Sequence, residues 1–541
     1  MLNQPCGREV GSRRVADTTP IERGSTRRNR GIVVIHGVGE QRKSDTILDI
    51  GDPLFDWLQR WYNAFDPADP IRIGRTELSF APIDIGQADR PPWSRFELPD
   101  HRWSVAEVWW STSNRKPDLQ TMLVWSWVHL ADIVAQLRRS VAERIDRLLH
   151  PAGHPSQPPG WVQAVDLLNS VGLLVLYPLA AIAGYVLLVP LMVLAQIPIE
   201  PFQNWVLLRL ITPLLVIDAG EFRMFVDDEI QSANVRRRAA DAVDWLVSHE
   251  QCADLTVVAH SEGCVVSFAM LTDPEFGEQA RKVRKLITLG EGLNKSWLVK
   301  PGLRRLHGPL TGDIVWVDIW ASFDPVAAGP IDPPPGVRVY LPTGEAARQV
   351  GERTTPLSVE VTNEMNVLSD HGGYWRNDEQ VLPRLAAEID CFDHTQSPFW
   401  ATGWTGAARE RRERVAVVAL LRALAILGGI GMTVAAWLQL ILRGISPTTS
   451  LKDVPGPWLM STPIALLTTL ENLLRGLFPP AADLIDQLLA FPAYAASAII
   501  IAVAWWAIYH LVRLAFWQPW DRRARDRLVR AAGLAARAAV E

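Results

Sequence analysis

The strongest constraint on the fold is a series of short, almost continuously apolar runs that alternate with helical patterns. These runs are rich in β-branched residues and end at Gly, His, Ser or Asp; they cover residues 31–37, 106–111, 254–260, 285–290, 313–321 and 357–362. Residues 227–250 have a helical pattern and precede one of them. A strand that is buried on both faces shows no polar alternation, so these runs predict a mostly parallel sheet with helices on both faces. The predicted class is therefore α/β.

Long uncharged segments interrupt this pattern. Residues 167–199, 423–442 and 488–512 contain no Asp, Glu, Lys or Arg, and a shorter apolar segment, 205–217, contains only Arg209. Because about 20 apolar residues span a bilayer as a helix, we predict that the three longer segments cross a membrane. Segment 205–217 either crosses with help from its flanking residues or lies in the interface. The alternative for the first segment is a buried apolar lid on a soluble domain.

Basic residues flank the uncharged segments. The connections between the first and second segments and between the third and fourth segments contain few basic residues. The flanking arginines are Arg138, Arg139, Arg144, Arg147, Arg223, Arg236–Arg238, Arg409, Arg411, Arg412, Arg414, Arg522, Arg523, Arg525, Arg527 and Arg530. By the positive-inside rule, both globular parts and the C-terminal tail are predicted to be cytoplasmic, on an inner or plasma membrane. Residues 122–139 form an amphipathic pattern with Trp, which is typical of a helix on a membrane surface.

These patterns predict five regions. They are a disordered basic tail (1–28), the first part of an α/β domain (29–155), a membrane hairpin or lid insertion (156–222), the second part of the α/β domain (223–398), and a membrane hairpin with a basic tail (399–541). The net charge of −5 gives no reason to expect nucleic acid as a partner. The four scattered cysteines predict neither a disulfide framework nor a zinc site, and no metal or cofactor is expected. The sequence does not constrain the oligomeric state.

A candidate nucleophile follows one of the predicted strands. The stretch "VVAHSEGC" (257–264) contains Ser261 between a strand pattern and an apolar helical pattern. A sharp turn at that point would expose the Ser261 hydroxyl and bring the residues two before and two after it close together. Gly263 meets this need fully, and Ala259 meets it with some steric strain.

A serine nucleophile needs a base, and the base needs a carboxylate that orients it. Asp324 follows the strand pattern at 313–321, and His371 stands in a later loop before two glycines. The order Ser261, Asp324, His371 along the chain is the order of the α/β-hydrolase fold. Asp318 is the alternative acid, although its position inside a strand would require a special partner.

An oxyanion that forms on the attacked carbonyl needs N–H donors. We expect one from Glu262, directly after the nucleophile, and one from Val38 in the loop after the first strand. Gly37 allows the backbone of that loop to approach a substrate oxygen. His36 and His260 flank the site, and we interpret them as packing or hydrogen-bonding residues rather than bases. Gly263, His36, Gly37 and His260 are thus supporting residues.

The stretches "VVIHGVGEQ", "VVAHSEG", "FDP" and "DHGGYW" together resemble the α/β-hydrolase superfamily, particularly its lipase-like and phospholipase-like members. The resemblance covers about residues 29–115 and 223–390, and Ala259 departs from its usual glycine. It implies an α/β-hydrolase fold and a serine hydrolase that cleaves carboxylic esters, and it leaves the apolar segments unexplained. Taken together with those segments as added transmembrane helices, it leads us to expect a membrane-embedded hydrolase with lipids as substrates. Two alternatives remain open: an acyltransferase of the same fold, and a catalytically idle membrane scaffold.

Overall fold

The computed structural model describes most of the predicted α/β domain. The described residues are 28–37, 41–64, 78–86, 90–99, 101–110, 119–150, 159–194, 223, 225, 227–300, 310, 311, 314–333, 337, 355–367, 369–400 and 408–424. The chain divides into two compact units, and Ala416–Ala524 forms the second. Of this second unit the structure describes residues 416–424, which are helical.

An eight-stranded, mostly parallel sheet forms the centre of the first unit. Its strands are β1 (Arg28–Ile35), β2 (Ser79–Phe80), β3 (Trp93–Glu97), β4 (His101–Val108), β5 (Asp254–His260), β6 (Val283–Leu289), β7 (Val315–Ala321) and β8 (Leu357–Val361). The spatial order is β2-β3-β4-β1-β5-β6-β7-β8. Strands β2 and β3 pair antiparallel at one edge, and β4 through β8 are parallel. The predicted α/β class is confirmed.

Helices connect the strands. They are α1 (Asp45–Ala64), α2 (Leu119–Leu149), α3 (Gly160–Leu194), α4 (Glu229–Ser248), α5 (Gly263–Thr272), α6 (Gly277–Lys282), α7 (Leu293–Val299) and α8 (Val381–Asp390). Helix α4 begins where a carboxylate caps it, because Asp228 accepts hydrogen bonds from the backbone N–H groups of Ile230 and Gln231. The helix predicted at 227–250 is therefore confirmed within two residues at each end.

The sheet has an apolar core on each face. Alternate residues of β1 and β5 point to opposite sides, so Ile35 and Val257 join one cluster while Val34 and Val258 join the other. The first cluster includes the buried faces of α4 and α5, and the second includes those of α1 and α8. This two-sided burial explains why the strand sequences are apolar without alternation.

Helices α2 and α3 form an antiparallel pair with an exposed apolar face. Arg144 and Asp166 form a buried ion pair near one end, and the rings of Trp127 and Tyr185 lie 4.7 Å apart near the other. The exposed apolar side chains of α3 include Val175, Leu179, Ile182 and Val186, which are 57% to 66% exposed. Within the described part of the chain, Gly160–Val186 is the one helical stretch that is long and apolar enough to cross a bilayer by length and composition.

Several predicted features lie outside the described residues. They include almost all of the basic tail, the oxyanion residue Val38, segments 205–217 and 488–512, and nearly all of 423–442. Among the described cysteines, Cys252 and Cys264 are free. Cys391 is disulfide-bonded, although the scattered cysteines gave no reason to expect a disulfide framework.

Candidate active site

Ser261 occupies a sharp turn between β5 and α5. Its φ of 58° lies in the left-handed region, which non-glycine residues rarely adopt and which costs roughly 1–3 kcal/mol. The Ser261 backbone N–H donates to the carbonyl oxygen of Leu289 at 3.0 Å, and its carbonyl accepts from the N–H groups of Cys264 and Gly292. Strained backbone at a strand-to-helix turn is typical of functional sites, and it agrees with the turn that the sequence predicted.

Two glycines allow the close approach of backbone around Ser261. A Cβ atom on Gly263 would lie 2.4 Å from the carbonyl oxygen of Ile35, at the end of β1. A Cβ atom on Gly37 would lie 2.5 Å from the Cβ of Ser261 itself. The loop after β1 and the turn after β5 therefore pack against each other directly. Ala259, which departs from the usual glycine, is fully buried at the end of β5.

His371 and Asp324 form a pair at the carboxyl edge of the sheet. The His371 Nδ1–H donates to both carboxylate oxygens of Asp324, at 3.0 and 3.1 Å. The hydroxyl of Tyr374 donates to the same carboxylate at 2.7 Å and accepts from the Ala321 N–H at 2.9 Å. Burial by itself would raise the pKa of Asp324, but the charge of His371 and hydrogen bonds from His371, Tyr374 and the Val326 N–H lower that pKa to about 2.

Asp370 connects the loop of the histidine to the loop of the acid. Its Oδ1 accepts from the Glu364 N–H at 2.7 Å and the Asn366 N–H at 3.3 Å, whereas its Oδ2 accepts from the Phe323 N–H at 3.2 Å. Burial raises the pKa of Asp370 to about 6, although these N–H groups act in the opposite direction. One buried carboxyl group, that of Asp370, thus links the loop that contains His371 to the residue that precedes Asp324.

Asp318, the alternative acid, forms its hydrogen bonds with residues other than His371. It is fully buried within β7, where it accepts from the Thr288 hydroxyl at 2.9 Å and the Ile331 N–H at 3.1 Å. Burial raises the pKa of Asp318 to about 6. The two hydrogen bonds are the special partners that a carboxyl group inside a strand needs. Of the two candidate acids, only Asp324 contacts the histidine.

His36 and His260 make the hydrogen bonds and packing contacts that the sequence suggested. The His36 Nδ1–H donates to the Gly37 carbonyl at 2.6 Å, and its ring stacks on Trp110 at 5.0 Å between centroids. The His260 Nε2–H donates to the His371 carbonyl at 2.9 Å, and the two imidazoles stack at 4.6 Å. Burial lowers the pKa of His36 to about 4 and that of His260 to about 3, so both rings are neutral near pH 7.

Ser261 and His371 line one cleft of about 610 Å³, together with His36, Gly37 and His260. Helix α1 forms the opposite wall, and Trp375 contributes an aromatic side. No hydrogen bond joins the Ser261 hydroxyl to the His371 ring, although the structure describes both residues. Glu262 is buried and is the N-cap residue of α5. Among the described residues, no cluster of three or more His, Cys, Asp or Glu side chains could hold a metal ion.

Three residues of the site were not identified from the sequence. Tyr374 lies inside the quoted stretch "DHGGYW", but its bond to Asp324 joins positions 50 residues apart. Asp370 also accepts a hydrogen bond from a residue that is distant along the chain, the Phe323 N–H. Gly290 ends a predicted strand and has a φ of 55°, and a Cβ atom there would lie 2.6 Å from Asp324 Oδ2. A glycine directly after a strand is the one signal in the sequence that could have indicated such a close approach.

Three comparisons with known proteins found no match for the chain. No protein-family model matches it, and neither a curated protein nor a solved structure matches it. The chemistry of the site therefore rests on its own geometry.

Proposed function

We propose that this protein is a serine hydrolase with an α/β-hydrolase fold, and that it cleaves carboxylic esters. The observation that carries the proposal is the Asp324–His371 pair beside a strained strand-to-helix serine in the same cleft. His371 has the carboxylate partner that a catalytic base requires, Ser261 lines the same cleft as His371, and the three follow each other along the chain in the order Ser, Asp, His.

The mechanism follows from the hydrogen bonds. Because the His371 Nδ1–H donates to Asp324, the neutral imidazole carries its lone pair on Nε2. Nε2 removes the proton of the Ser261 hydroxyl as the oxygen attacks the ester carbonyl, and it returns that proton to the leaving alcohol. The resulting acyl-enzyme is hydrolysed by a water that His371 activates. Asp324 stabilises the imidazolium that forms in each half-reaction.

Two further elements complete this mechanism. The Glu262 N–H, and that of Val38, which lies outside the described residues, are the proposed oxyanion donors; one such donor contributes about 10²–10³-fold in rate. The proton transfer also requires the Ser261–His371 hydrogen bond to form when substrate binds. In unliganded hydrolases this bond is often long or poorly aligned, so its absence is compatible with the role.

The exposed apolar face of α3 supports a lipid as the source of the ester. A helix that keeps Val175, Ile182 and Val186 mostly exposed would be costly in water, which favours a bilayer around it. This helix pair is also connected to the catalytic acid, because the Arg144 guanidinium of α2 lies 3.9 Å from the ring centroid of Phe323, next to Asp324. We therefore propose an integral membrane protein whose hydrolase domain faces the cytoplasm.

A fluorophosphonate probe tests the proposal. The full-length protein, solubilised in detergent, should be labelled, and labelling should disappear in Ser261→Ala and His371→Ala. Ser267→Ala is the matched control, because Ser267 is buried in α5 and donates to the Cys264 carbonyl. It should label at the wild-type rate.

A panel of esters then identifies the substrate class. Hydrolysis of long-chain acyl esters and phospholipids in vesicles, at rates above those of short soluble esters, supports a lipid substrate. A folded protein that reacts with neither probe nor ester would refute the hydrolase and leave a membrane scaffold as the better explanation. Labelling that persists in Ser261→Ala would refute the nucleophile.

A further inference from the structure

A second cleft lies beside the candidate active site at the same edge of the sheet. Its volume is about 430 Å³, and it is lined by the end of β4, one face of α4 and the connection between β1 and α1. Four cationic side chains enter it; they are Lys43, Arg90, Arg237 and Arg238. We refer to these four residues and the space between them as the basic cleft. Ligands of parallel α/β sheets commonly bind outside the carboxyl ends of the strands, which is where this cleft lies.

Two carboxylates, those of Glu107 and Asp241, line the basic cleft together with its four cations, so the positive charges outnumber the negative ones. Arg237 forms an ion pair with Asp241 at 3.1 Å, but Lys43, Arg90 and Arg238 form no ion pair with any residue that the structure describes. Glu107 also lines the cleft, and its carboxylate accepts from the backbone N–H groups of Ser44 and Thr46. Cations that line one cleft repel one another, and a bound anion would reduce that repulsion.

Two of the four cationic side chains, those of Arg238 and Lys43, contact Trp109. The Arg238 guanidinium donates to the Trp109 carbonyl at 3.0 Å, and its burial lowers the pKa of Arg238. The Lys43 ammonium lies 5.1 Å from the centroid of the Trp109 ring. Pro91 and Pro92 add an apolar wall. A site that combines fixed cationic donors with an aromatic wall suits a phosphate group that carries an organic substituent.

We propose that the basic cleft binds a phosphate group, either on a lipid headgroup or on a soluble phosphate monoester. Arg238 and Arg90 present planar guanidinium groups that match phosphate oxygens, and Lys43 adds a point charge. This proposal is independent of ester hydrolysis, because none of these residues contacts Ser261, Asp324 or His371.

Binding at the basic cleft would bear on the neighbouring catalytic cleft. Lys43 belongs to the same connection as Gln41, which lines the catalytic cleft, and lies three residues before Thr46 of α1, which lines it too. The Trp109 Nε1–H donates to the Gln41 carbonyl at 2.9 Å, so the wall of the basic cleft is bonded to that connection. The next residue, Trp110, stacks on His36. A phosphate held by Lys43 would therefore stabilise the loop that precedes α1.

Calorimetric titration of the full-length protein in detergent tests the proposal, with inorganic phosphate and phenyl phosphate as ligands. Both should bind, with phenyl phosphate the tighter because of Trp109, and affinity should fall as NaCl is added. Lys43→Ala and Arg90→Ala should each weaken binding about tenfold or more, because each removes a charged donor. Arg238→Lys, which keeps the charge and loses the planar fork, should also weaken it.

Arg236→Ala is the matched control. Arg236 lies on the same helix, α4, but its guanidinium pairs with Glu229 and Asp273 outside the cleft. Its loss should leave phosphate affinity unchanged, and thermal unfolding of every variant checks the fold. The proposal is overturned if neither ligand binds at millimolar concentration, or if Arg236→Ala weakens binding as much as Lys43→Ala does.

Vesicle flotation distinguishes the two sources of the phosphate. We compare phosphatidylcholine vesicles with and without phosphatidic acid. This comparison is needed because the apolar helices should bind vesicles of either composition. If phosphatidic acid increases the fraction of protein that floats with the vesicles, and Lys43→Ala abolishes this increase, the phosphate belongs to a lipid headgroup. Calorimetric binding of phenyl phosphate without that increase supports a soluble monoester. Calorimetry and flotation can both be carried out with Ser261→Ala, which has no candidate nucleophile. A negative result for phosphate binding is therefore distinct from a negative result for ester hydrolysis.

Discussion

Replacing Gly290 by alanine should separate the acid from the histidine without touching the nucleophile. Gly290 follows β6 and has a φ of 55°. A Cβ atom at this position would lie 2.6 Å from Asp324 Oδ2, 2.7 Å from a ring carbon of Tyr374 and 3.1 Å from His371 Nδ1. The added methyl group would therefore enter the space between Tyr374 and the two side chains of the acid–base pair, Asp324 and His371.

The size of the effect follows from these distances. Ordinary contacts of a Cβ atom begin at about 3.4 Å, so the Asp324 oxygen must move by about 0.8 Å. A misplacement of about 1 Å in a catalytic group costs about 100-fold in rate, and we expect a loss of that order. The left-handed backbone adds a cost of about 1–2 kcal/mol in stability for a residue with a Cβ. The protein should remain folded with a lowered unfolding midpoint.

The assay is the second-order rate of labelling by a fluorophosphonate, with thermal unfolding measured in parallel. Gly372→Ala is the matched control, because Gly372 adjoins His371 and a Cβ atom there would meet nothing within 4 Å. It should label within about twofold of the wild-type rate, as expected for a substitution into open space. Wild-type labelling by Gly290→Ala, or an equal loss in Gly372→Ala, would refute the assignment of the acid–histidine pair.

Three other predictions concern the buried hydrogen bonds of the site. Asp324→Asn should lower the labelling rate by about 10³–10⁴-fold, whereas Asp318→Asn should change it by less than about tenfold; the reverse result would make Asp318 the acid. Tyr374→Phe removes a donor to Asp324 and leaves the Ala321 N–H without its acceptor, so urea denaturation should show a loss of about 1–3 kcal/mol, and unchanged stability would contradict that bond. The pKa of Asp324, about 2, is below its unfolded value, so this group contributes about 2 kcal/mol above pH 4 that is lost as pH falls through 2. The pKa of Asp318, about 6, is raised, so its contribution of about 3 kcal/mol is present below pH 4 and is lost as pH rises through 6. Asp318→Asn should therefore reduce the slope of the stability profile between pH 4 and 7, while Asp370, with a pKa of about 6, keeps part of that slope; an unchanged profile would contradict the raised pKa of Asp318.

The α/β class and the local elements could be predicted because their signals are local. The apolar run at 254–260 became β5 with the same ends, and the apolar pattern after Ser261 became α5. The pairing of Asp324 with His371 also followed from order along the chain. Roles that depend on contacts between distant loops, such as those of Tyr374 and Asp370, leave no local pattern and were missed.

The orientation predicted from flanking arginines shows a second limit of local patterns. Arg411 and Arg414 are both buried in ion pairs with Glu379, and Arg144 is buried against Asp166. A charge that is already neutralised within the fold contributes little to the attraction that orients a membrane helix. Fewer of the flanking arginines are therefore free to orient a membrane helix than the sequence suggests, and protease protection of the α/β domain tests the proposed orientation.

The connection after β6 explains how a strained serine and a distant acid–histidine pair become one site. Leu289 accepts from the Ser261 N–H, and the Gly292 N–H donates to the Ser261 carbonyl, so this connection holds the left-handed turn from two sides. Gly290, which lies between them along the chain, donates to the Ile319 carbonyl of β7 and leaves room for Asp324 and His371. A side chain at Gly290 would displace the pair while these backbone hydrogen bonds keep Ser261 in place. Loss of labelling in Gly290→Ala with an intact fold would therefore point to the acid–base pair and not to the nucleophile turn.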